Sequence, residues 1–263
     1  MEFRIGGLVE WITLKKNSSV WDKNVENKDT WTVPVSSETI ENAKNGKWDV
    51  VLTPIKPVPK DWFPSNLNGV KVLLMGGGGG QQGPILSALG ADVTVFDNSK
   101  KQLEQDEFVA KRDNLNIRTV QGNVQDLSVF SDESFDLIME FVGGWVDSLL
   151  PVWKEAYRVL RKGGILLAAH NNPFESVFDL ELLEKGELVL RHKIPYSDIR
   201  DLSSDEFERI TSDGVWFGHS LHDIIQGQID VGFLIAGFYE DSGSGYILDD
   251  YIDIFFATKA IKV

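Results

Sequence analysis

The feature that most constrains the fold of this chain is a run of glycines placed directly after an apolar stretch. Residues 70–75 read VKVLLM, and they are followed by five consecutive glycines, Gly76–Gly80, and then by QQGPILSALG. The apolar run predicts a strand that is covered on both faces, and the later segment predicts a helix that ends at Gly90. Glycines between a buried strand and a helix let the backbone turn tightly and approach a ligand, while free helix amides favour an anionic group. We therefore expect a ligand-binding turn, with a tight turn lacking a ligand as the alternative.

The same order of strand, turn and helix repeats further along the chain. Strands are predicted at ADVTVFD, NIRTVQG, SFDLIME and ILLAAH, and helices at NSKKQLEQDEFVAKRD, LLPVWKEAYRVLRKGG and HSLHDIIQGQIDVG. The segments FLIAGFYED and DYIDIFFATKAIKV predict a closing hairpin. The pattern predicts an α/β fold with a doubly wound, Rossmann-like, seven-stranded sheet whose last strand is antiparallel. Ligands of such sheets bind at the carboxyl ends of the strands.

The N-terminal part of the chain does not follow this pattern. Residues 1–68 contain five of the eight tryptophans and the proline-rich segment TPIKPVPKDWFP, which cannot sustain a helix or a central strand. The segment SSETIENAKNG predicts a short helix from about Ser37 to Asn45. We therefore expect an aromatic-rich cap and linker at residues 1–68 and one domain at residues 69–263. Residues 171–213 are polar and irregular, and they predict an insertion into that domain.

Composition excludes several classes of protein. With 263 residues, 42% of them hydrophobic, the chain can bury a good-sized core. The absence of cysteine removes disulfides, thiolate zinc sites and cysteine nucleophiles, and it favours a cytoplasmic location. No apolar run has the roughly 18 residues that a membrane span needs, so we expect no membrane partner. A net charge of −14 without a cluster of Lys and Arg argues against a nucleic-acid partner. The oligomeric state is left open.

The glycine run is compatible with more than one nucleotide ligand. Gly78, Gly80 and Gly83 have the spacing of the dinucleotide fingerprint, and Asp97 lies at the end of the second predicted strand, where a ribose hydroxyl would be bound. An NAD-dependent oxidoreductase is therefore one candidate. However, fewer than 100 residues follow the last parallel strand, and they are already assigned to the sheet and the hairpin. Little of the chain remains for the catalytic domain that a dehydrogenase would add.

The order of motifs after the glycine run resembles the class I S-adenosylmethionine-dependent methyltransferase family. The resemblance lies in GADVTVFDNS, TVQGNVQDL, SFDLIMEFVGGW, EAYRVLRKGG and ILLAAH, across about residues 70–170, and the closing hairpin agrees with it. More narrowly, WDKNVEN, KPVPKDWFP and GGGGGQQGPIL resemble a subgroup of small bacterial methyltransferases. The resemblance implies methyl transfer to a small-molecule substrate, with S-adenosyl-L-methionine as the cofactor. A non-catalytic module that binds this cofactor is the remaining alternative.

The resemblance also implies roles for individual residues. Asp97 would accept hydrogen bonds from the two ribose hydroxyls, unless it is a plain helix cap. The side-chain oxygen of Asn123 would bind the adenine amino group, and the amide of Val124 would bind a ring nitrogen. Asn123 and Met75 both depart from the acid that many family members carry there. The complete set of predicted cofactor-binding residues is Gly76, Gly77, Gly78, Gly79, Gly80, Asp97, Asn98, Asn123, Val124 and Glu140.

Candidate catalytic residues follow the fourth and fifth predicted strands. Glu140 would orient the cofactor or accept a proton, and Trp145 would contact the sulfonium through its ring. The alternatives are a solvated strand end for Glu140 and packing against the cap for Trp145. His170 ends its strand on the ligand side and is the histidine best suited to act as a base. Because methyl transfer is an in-line displacement that mainly requires alignment, a general base is optional.

Two further groups of residues are candidates for a role at the site. His219, His222 and Asp223 lie close together in sequence, but they straddle a predicted helix start and lack a third ligand at recognisable spacing, so no metal is expected. Three tryptophans of the cap are candidates to line the acceptor pocket: Trp21, Trp31 and Trp62. An aromatic, acidic setting favours an uncharged or cationic small molecule as the acceptor.

Overall fold

A mixed sheet forms the centre of the molecule, and the residues that precede it in sequence pack over one of its edges. The structure is a computed structural model that describes the backbone of residues 2–263 and the side chains of residues 9–212 and 214–263. The strands are β1 (Lys71–Met75), β2 (Asp92–Asp97), β3 (Ile117–Gln121), β4 (Phe135–Glu140), β5 (Leu160–Asn171), β6 (Tyr196–Ser197), β7 (Phe217–Gly218), β8 (Phe233–Asp241) and β9 (Phe255–Lys262).

Seven of these strands form the main sheet, in the order β3-β2-β1-β4-β5-β9-β8. The first five in sequence pair in parallel, while β9 runs antiparallel to both β5 and β8. The order of the parallel strands reverses at β1 and β4, which creates a crevice at their carboxyl ends. The predicted α/β fold, with its seven-stranded sheet and antiparallel last strand, is confirmed.

Helices cover both faces of the sheet and its carboxyl edge. They are α1 (Glu2–Asn27), α2 (Ser37–Lys44), α3 (Gln82–Ala88), α4 (Lys100–Asp113), α5 (Leu149–Val159), α6 (Leu180–Leu183), α7 (Asp198–Asp201), α8 (Ser204–Ile210) and α9 (Gly227–Asp230). The sequence does not predict α1, because its glycines and the Asn-Ser-Ser at residues 17–19 are poor helix formers and its apolar residues form no single stripe. The predicted helix near Ser37 is present, and the side chain of Ser36 caps it by accepting the amide of Thr39.

One predicted boundary is wrong. The helix α5 was expected to continue to a pair of glycines, but it ends at Val159, and β5 begins at Leu160. Leu160 pairs with Phe135, and the pairing resumes only at Ile165 and Leu137, so the intervening residues bulge out of the strand. A glycine with a positive φ of 76° lies in this bulge at position 163, where other residues would be strained.

The core lies in two layers, one on each face of the sheet. The layer beneath α5 includes Ile138, Trp153 and Leu166, all fully buried. The other layer contains side chains of β1 and β2 together with residues of the cap, such as Val50 and Trp62. The cap therefore shares a core with the sheet, and the division of the chain at residue 68 stays a prediction about its organisation.

The region after β5 forms a small separate layer of short elements. Residues 173–213 contain α6, β6, α7, α8 and several turns, and β6 pairs with β7, which follows this region, in a two-stranded ribbon. A π-helical turn at His222–Gln226 precedes α9, and the hydroxyl of Ser220 accepts the amide of Asp223. Among the described residues, no helix has the length and apolar character to cross a bilayer.

Candidate active site

A cavity of about 370 Å³ opens at the carboxyl edge of the sheet. Its walls come from the turns after β1, β2, β3 and β4, from the ends of β5 and β9 that lie at this edge, from Trp216 and from residues of the cap between positions 14 and 54. The volume lies in the usual range of small-ligand sites, and its position is the one at which doubly wound sheets bind ligands.

Three glycines of the run line this cavity: Gly76, Gly77 and Gly78. Gly76 has a φ of +66°, and a Cβ added to it would lie 2.5 Å from Cγ1 of Val142. A Cβ on Gly78 would lie 2.7 Å from Cβ of Gln102 and 3.0 Å from Oδ2 of Asp97. No side chain fits at these positions, so the turn presents bare backbone to the cavity.

The other two glycines of the run, Gly79 and Gly80, lie behind the wall of the cavity. Their amides donate to Oδ2 of Asp106, at 3.0 Å and 3.1 Å. Gly80 also accepts the amide of Val35 through its carbonyl. The prediction that both glycines contact the cofactor is corrected here, because their amides are committed to α4 and they do not line the cavity.

Asp106 supports the glycine turn from outside the cavity, and the predicted site lacks it. It lies in α4, is completely buried, and burial raises the pKa of its carboxyl to about 8. The sequence contained a signal for it, because Asp106 occupies the apolar face of α4 between Leu103 and Val109, each three residues away and buried. An acid on the buried face of a helix needs hydrogen-bond donors, and the glycine turn supplies them.

Asp97 faces the cavity from the end of β2 and is only 8% exposed. Its Oδ2 accepts the amide of Gly78 at 3.0 Å, and its Oδ1 accepts the amide of Ser99 at 2.8 Å. Burial raises the pKa of this carboxyl to about 6, although the backbone amides oppose the shift. The cap of α4 is the hydroxyl of Ser99, which accepts the amide of Gln102. Each oxygen of Asp97 therefore has a lone pair left for a ligand.

Three further predicted residues line the cavity: Asn98, Asn123 and Val124. The amide nitrogen of Asn98 donates to the carbonyl of Leu14 at 2.8 Å, and that of Asn123 donates to the carboxylate of Glu10 at 2.7 Å. Both bonds reach α1, which crosses this side of the cavity. The oxygen of Asn123 accepts the amide of Gln125 at 3.0 Å, so one lone pair remains for a second donor.

Glu140 is not at the wall of the cavity. It is fully buried beneath the turn that follows β4, and its Oε1 accepts the amides of Val142 and Gly143 at 2.7 Å and 3.2 Å. Its Oε2 has no partner among the described residues. Burial raises its pKa to about 7. The predicted contact of Glu140 with the cofactor or acceptor is therefore corrected: its side chain supports the turn from below.

His170 lines the cavity from the end of β5, as its position in the sequence suggests. It is 2% exposed and packs against the rings of Trp153 and Phe256. Neither ring nitrogen has a hydrogen-bond partner among the described residues. Burial lowers its pKa to about 3, so the imidazole is neutral near pH 7 and a poor general base. The role of His170 as a catalytic base therefore stays a prediction, which this pKa disfavours.

Three tryptophans form a continuous aromatic wall. The rings of Trp21 and Trp145 meet edge to face at 5.4 Å, and those of Trp145 and Trp216 meet at 5.3 Å. Trp31 also lines the cavity, whereas Trp62 packs against Tyr239 away from it. A place beside the ligand and packing against the cap were alternatives for Trp145, and the structure shows that it both lines the cavity and packs against Trp21 of the cap.

Asn17 of α1 fixes this aromatic wall. Its amide nitrogen donates to the carbonyls of Trp145 and Val215 at 3.0 Å and 3.2 Å, and its oxygen accepts the amide of Val215 at 2.7 Å. The helix therefore joins the turn after β4 to the region before β7. The predicted site lacked Asn17, and a lone Asn in a polar stretch gives no signal of this role.

Two of the three residues near position 220 that were candidates for a metal site, His219 and Asp223, have structural contacts. A ring nitrogen of His219 lies 2.9 Å from the carbonyl oxygen of Val146, and Asp223 takes part in the helix cap with Ser220. The part of the chain whose side chains are described holds no group of three potential metal ligands.

Comparison with known proteins agrees with this geometry. A family described as Methyltransferase domain matches residues 73–168. The uncharacterized methyltransferase YbaJ of Bacillus subtilis (strain 168) is 53% identical over 250 residues, which are 94% of this chain and 97% of that protein.

Solved structures show the same fold at low sequence identity. An S-adenosylmethionine-dependent methyltransferase from Mesorhizobium loti has a TM-score of 0.58 and 14% identity, covering 77% of this chain and 94% of that one. One from Methanosarcina mazei has a TM-score of 0.55 and 18% identity, covering 80% and 99%. Because a methyltransferase that is 53% identical matches this chain over 94% of its length, the protein belongs to the methyltransferase family.

Proposed function

We propose that the protein transfers the methyl group of S-adenosyl-L-methionine to a small-molecule acceptor in the cytoplasm. The observation that carries the proposal is the division of one cavity into two chemically different halves. The cofactor half lies over β1, β2 and β3, and the acceptor half lies over β4, β5 and β9. The cofactor half comprises Gly76, Gly77, Gly78, Asp97, Asn123 and Val124; the acceptor half comprises Trp21, Trp145, Ala169, His170, Trp216 and Phe255.

The cofactor half fits an adenosyl compound. Asp97 offers one free lone pair on each carboxylate oxygen, which suits two neighbouring ribose hydroxyls. The bare backbone at Gly76–Gly78 would hold the methionine part. Asn123 retains one lone pair for the adenine amino group, and Val124 lies beside it. Among the described residues that line the cavity, Asp97 alone carries a formal charge, so a cationic ligand meets no like charge.

The residues of the chain would act mainly by alignment. When bound, the cofactor supplies a methyl group activated by a positive sulfur. The aromatic wall would exclude water and place the acceptor in line with the methyl group, and the face of Trp145 would stabilise the positive charge. Glu140 and Asp106 would hold the two turns in place from outside the cavity.

A small molecule suits this cavity better than a nucleic acid does. The chain has a net charge of −14, and no Lys or Arg is among the described residues that line the cavity. A polyanion would therefore find no counter-charge near the site. Membership of the narrower bacterial subgroup with the GGGQQG turn stays a prediction.

Calorimetry tests the proposal. Titration with S-adenosylmethionine and S-adenosylhomocysteine is expected to give saturable binding at one site, and titration with NADH is expected to give none. Binding of NADH, or unchanged binding of the sulfur nucleosides after Asp97→Ala, would contradict the assigned site. A screen of small molecules with radiolabelled methyl donor then identifies the acceptor.

A further inference from the structure

The two parts of the cap are attached to the molecule in different ways, and what we infer from this rests on the proposed function. Residues 35–67 share the core layer of β1 and β2, to which they contribute buried side chains such as Leu52 and Phe63. In contrast, none of the described side chains of α1, at residues 9–27, belongs to a hydrophobic cluster of the protein. Val20 is the one buried hydrophobic residue in that range. Burial of apolar surface therefore contributes little to holding α1 in place.

The sequence of α1 gives the helix little stability of its own. It contains two glycines, at positions 6 and 7, and the run Asn17–Ser19, all of which are poor helix formers. Directly after the helix, Lys28 has a φ of +58°, a left-handed conformation that is strained for a residue with a side chain. The chain changes direction there, between α1 and the part of the cap that is fixed in the core. Lys28 is therefore the natural position of a hinge.

Hydrogen bonds to residues around the cavity are the main attachment of α1. Oδ1 of Asp22 accepts the hydroxyl of Ser99 at 2.6 Å and the amide of Lys101 at 3.0 Å, both at the start of α4. Nζ of Lys16 donates to Oγ1 of Thr211 at 2.9 Å. Further partners of α1, described above, are Asn98, Asn123, Trp145 and Val215. Since water replaces such partners when a helix detaches, these bonds hold α1 only weakly.

One face of α1 covers the cavity. The side chains at positions 14, 17, 18 and 21 line it, and spacings of three and four residues place them on the same face of the helix. A ligand in the cavity would therefore pack against α1 directly, and a ligand that enters on this side must displace the helix. Ligand binding and the closed position of α1 thus favour each other.

The helix also connects the two halves of the cavity. On the cofactor side, it bonds to the side-chain amides of Asn98 and Asn123. On the acceptor side, Asn17 bonds to the carbonyl of Trp145, and the ring of Trp21 meets that of Trp145. Detachment of α1 would release both amides and remove one of the three rings of the aromatic wall. The acceptor half is therefore complete only while α1 is closed.

We propose that α1 is a strap that opens about Lys28 to admit the cofactor and closes over it, and that its closure completes the acceptor half. Cofactor bound beside Asn98 and Asn123 fixes the two amides that fasten α1, so the cofactor and the closed helix stabilise each other. Closed α1 brings Trp21 to the aromatic wall. The cofactor therefore binds before the acceptor, and the methyl group is transferred behind a helix that excludes water.

Hydrogen exchange of the whole chain tests this strap. We expect the amides of residues 9–27 to exchange at least about tenfold faster than those of α5, whose side chains pack in the core. Saturating S-adenosylhomocysteine is expected to slow the exchange of residues 9–27 at least about tenfold and to leave α5 unchanged at short exchange times, which report local opening. Exchange in α1 that is as slow as in α5, or that does not respond to the ligand, overturns the proposal.

Variants of α1 separate closure from direct contact with the cofactor. Asn17→Ala removes hydrogen bonds on the acceptor side only, and Lys16→Ala removes the bond to Thr211, outside the cavity. Lys23→Ala is the matched control, because Lys23 is exposed on the same helix and has no hydrogen-bond partner among the described residues.

The dissociation rate of S-adenosylhomocysteine, followed by stopped-flow fluorescence, is the readout for these variants. It is expected to rise about tenfold in Asn17→Ala and about threefold in Lys16→Ala, and to stay unchanged in Lys23→Ala. Unchanged exchange of α5 in each variant checks that the fold is kept. An unchanged rate in Asn17→Ala, or equal rates in Lys16→Ala and Lys23→Ala, contradicts closure by α1.

Fluorine NMR tests the completion of the acceptor half. In protein labelled with 5-fluorotryptophan, Trp21→Phe assigns the resonance of Trp21, and its solvent isotope shift measures exposure of the ring to water. We expect this shift to fall by about half when S-adenosylhomocysteine is added. The shift of Trp48, which packs against Phe63 in the core, is expected to stay the same. Equal exposure of Trp21 with and without the ligand overturns the proposed order of binding.

Titration with S-adenosylhomocysteine in the same samples separates the two levels of inference. If this compound fails to bind the unmodified protein, the proposed function fails. If it binds while the exchange of α1 stays as in the free protein, the inference about the strap alone fails.

Discussion

Asp97 and Glu140 occupy similar places in two strands of one sheet, yet only one of them reaches the cavity. Each is the last residue of its strand, is buried, and accepts the amide of the residue two positions later. Asp97 lies two residues after Val95, on the same face of β2, and Val95 packs in one core layer. Glu140 lies two residues after Ile138, on the same face of β4, and Ile138 packs in the other layer. Because successive side chains of a strand point to opposite faces, the two carboxylates leave the sheet on opposite sides.

This difference shows that the end of a strand does not by itself define a ligand contact. Asp97 keeps lone pairs free and faces the cavity, so its backbone bonds orient it for a ligand. Glu140 uses the same kind of hydrogen bonds to support the turn after β4. That turn contains Trp145, which forms part of the aromatic wall. The four predictions below test this contrast, beginning with the largest effect.

Asp97→Ala should abolish cofactor binding. The change removes two hydrogen bonds to a charged acceptor, each contributing about 1.5–3 kcal/mol, so the affinity for S-adenosylhomocysteine is expected to fall at least about 100-fold. Calorimetry measures the loss, and circular dichroism checks that the fold is kept. Asp97→Asn retains one acceptor oxygen, so its affinity for S-adenosylhomocysteine should lie between those of the unmodified protein and the Ala variant. Retention of full affinity by the Ala variant would remove Asp97 from the site.

Asp106→Ala should affect binding through the glycine turn. Its removal leaves the buried amides of Gly79 and Gly80 without their acceptor, which is expected to lower the free energy of unfolding by about 2 kcal/mol and the cofactor affinity about tenfold. Urea unfolding and calorimetry measure both effects. Asp106→Asn keeps an acceptor oxygen and serves as the control, for which both quantities should remain near those of the unmodified protein. Wild-type affinity in the Ala variant would show that the turn holds its shape unaided.

Glu140→Gln should change the pH dependence of stability and leave cofactor binding unchanged. The carboxyl has a pKa of about 7 in the folded protein and near 4.5 when unfolded, so its contribution to stability falls as the pH rises between these values. The Gln variant is expected to match the unmodified protein at pH 4 and to exceed it by roughly 3 kcal/mol at pH 8. Thermal unfolding at both pH values measures this. A change of more than about threefold in cofactor affinity would break the contrast with Asp97.

Cofactor affinity should fall at acidic pH. Ribose hydroxyls donate best to the ionised form of Asp97, whose pKa is about 6 without ligand. The cofactor affinity is therefore expected to be highest above pH 7 and to fall as the pH is lowered through 6. Between pH 7 and pH 5 we expect a loss of about tenfold. Titrations at several pH values measure the slope. The Asp97→Asn variant should lack it, and the same slope in that variant would assign the titration to another group.

The sequence was sufficient for the parts of the fold that depend on local pattern. The alternation of apolar strands with capped helices predicted the succession of strands and helices along the chain, and the glycine run predicted the turn at Gly76–Gly78. The motif order identified the family, which the 53% identical relative then showed. The position of Asp97 followed from the same pattern, because the end of β2 beside a glycine turn is a place where this sheet meets a ligand.

The rest depends on contacts between distant parts of the chain. Glu140 differs from Asp97 in which face it occupies, and its own face of β4, which also carries Asp136 and Ile138, does not show from sequence whether it meets the cavity. The commitment of Gly79 and Gly80 to Asp106 requires the packing of α4 against the turn, which no local pattern specifies. The pKa of His170 is lowered by burial that only the assembled core produces. The helix α1 was missed because tertiary contacts override its weak intrinsic preference.

The aromatic wall has a consequence for what similarity can reveal. The family model matches residues 73–168, whereas four residues of the proposed acceptor side lie outside that range: Asn17, Trp21, Trp216 and Phe255. The part of the chain that the family model describes therefore differs from most of the part that we propose to select the substrate. Two members of this family can share the donor chemistry completely and still differ in every compound that they modify.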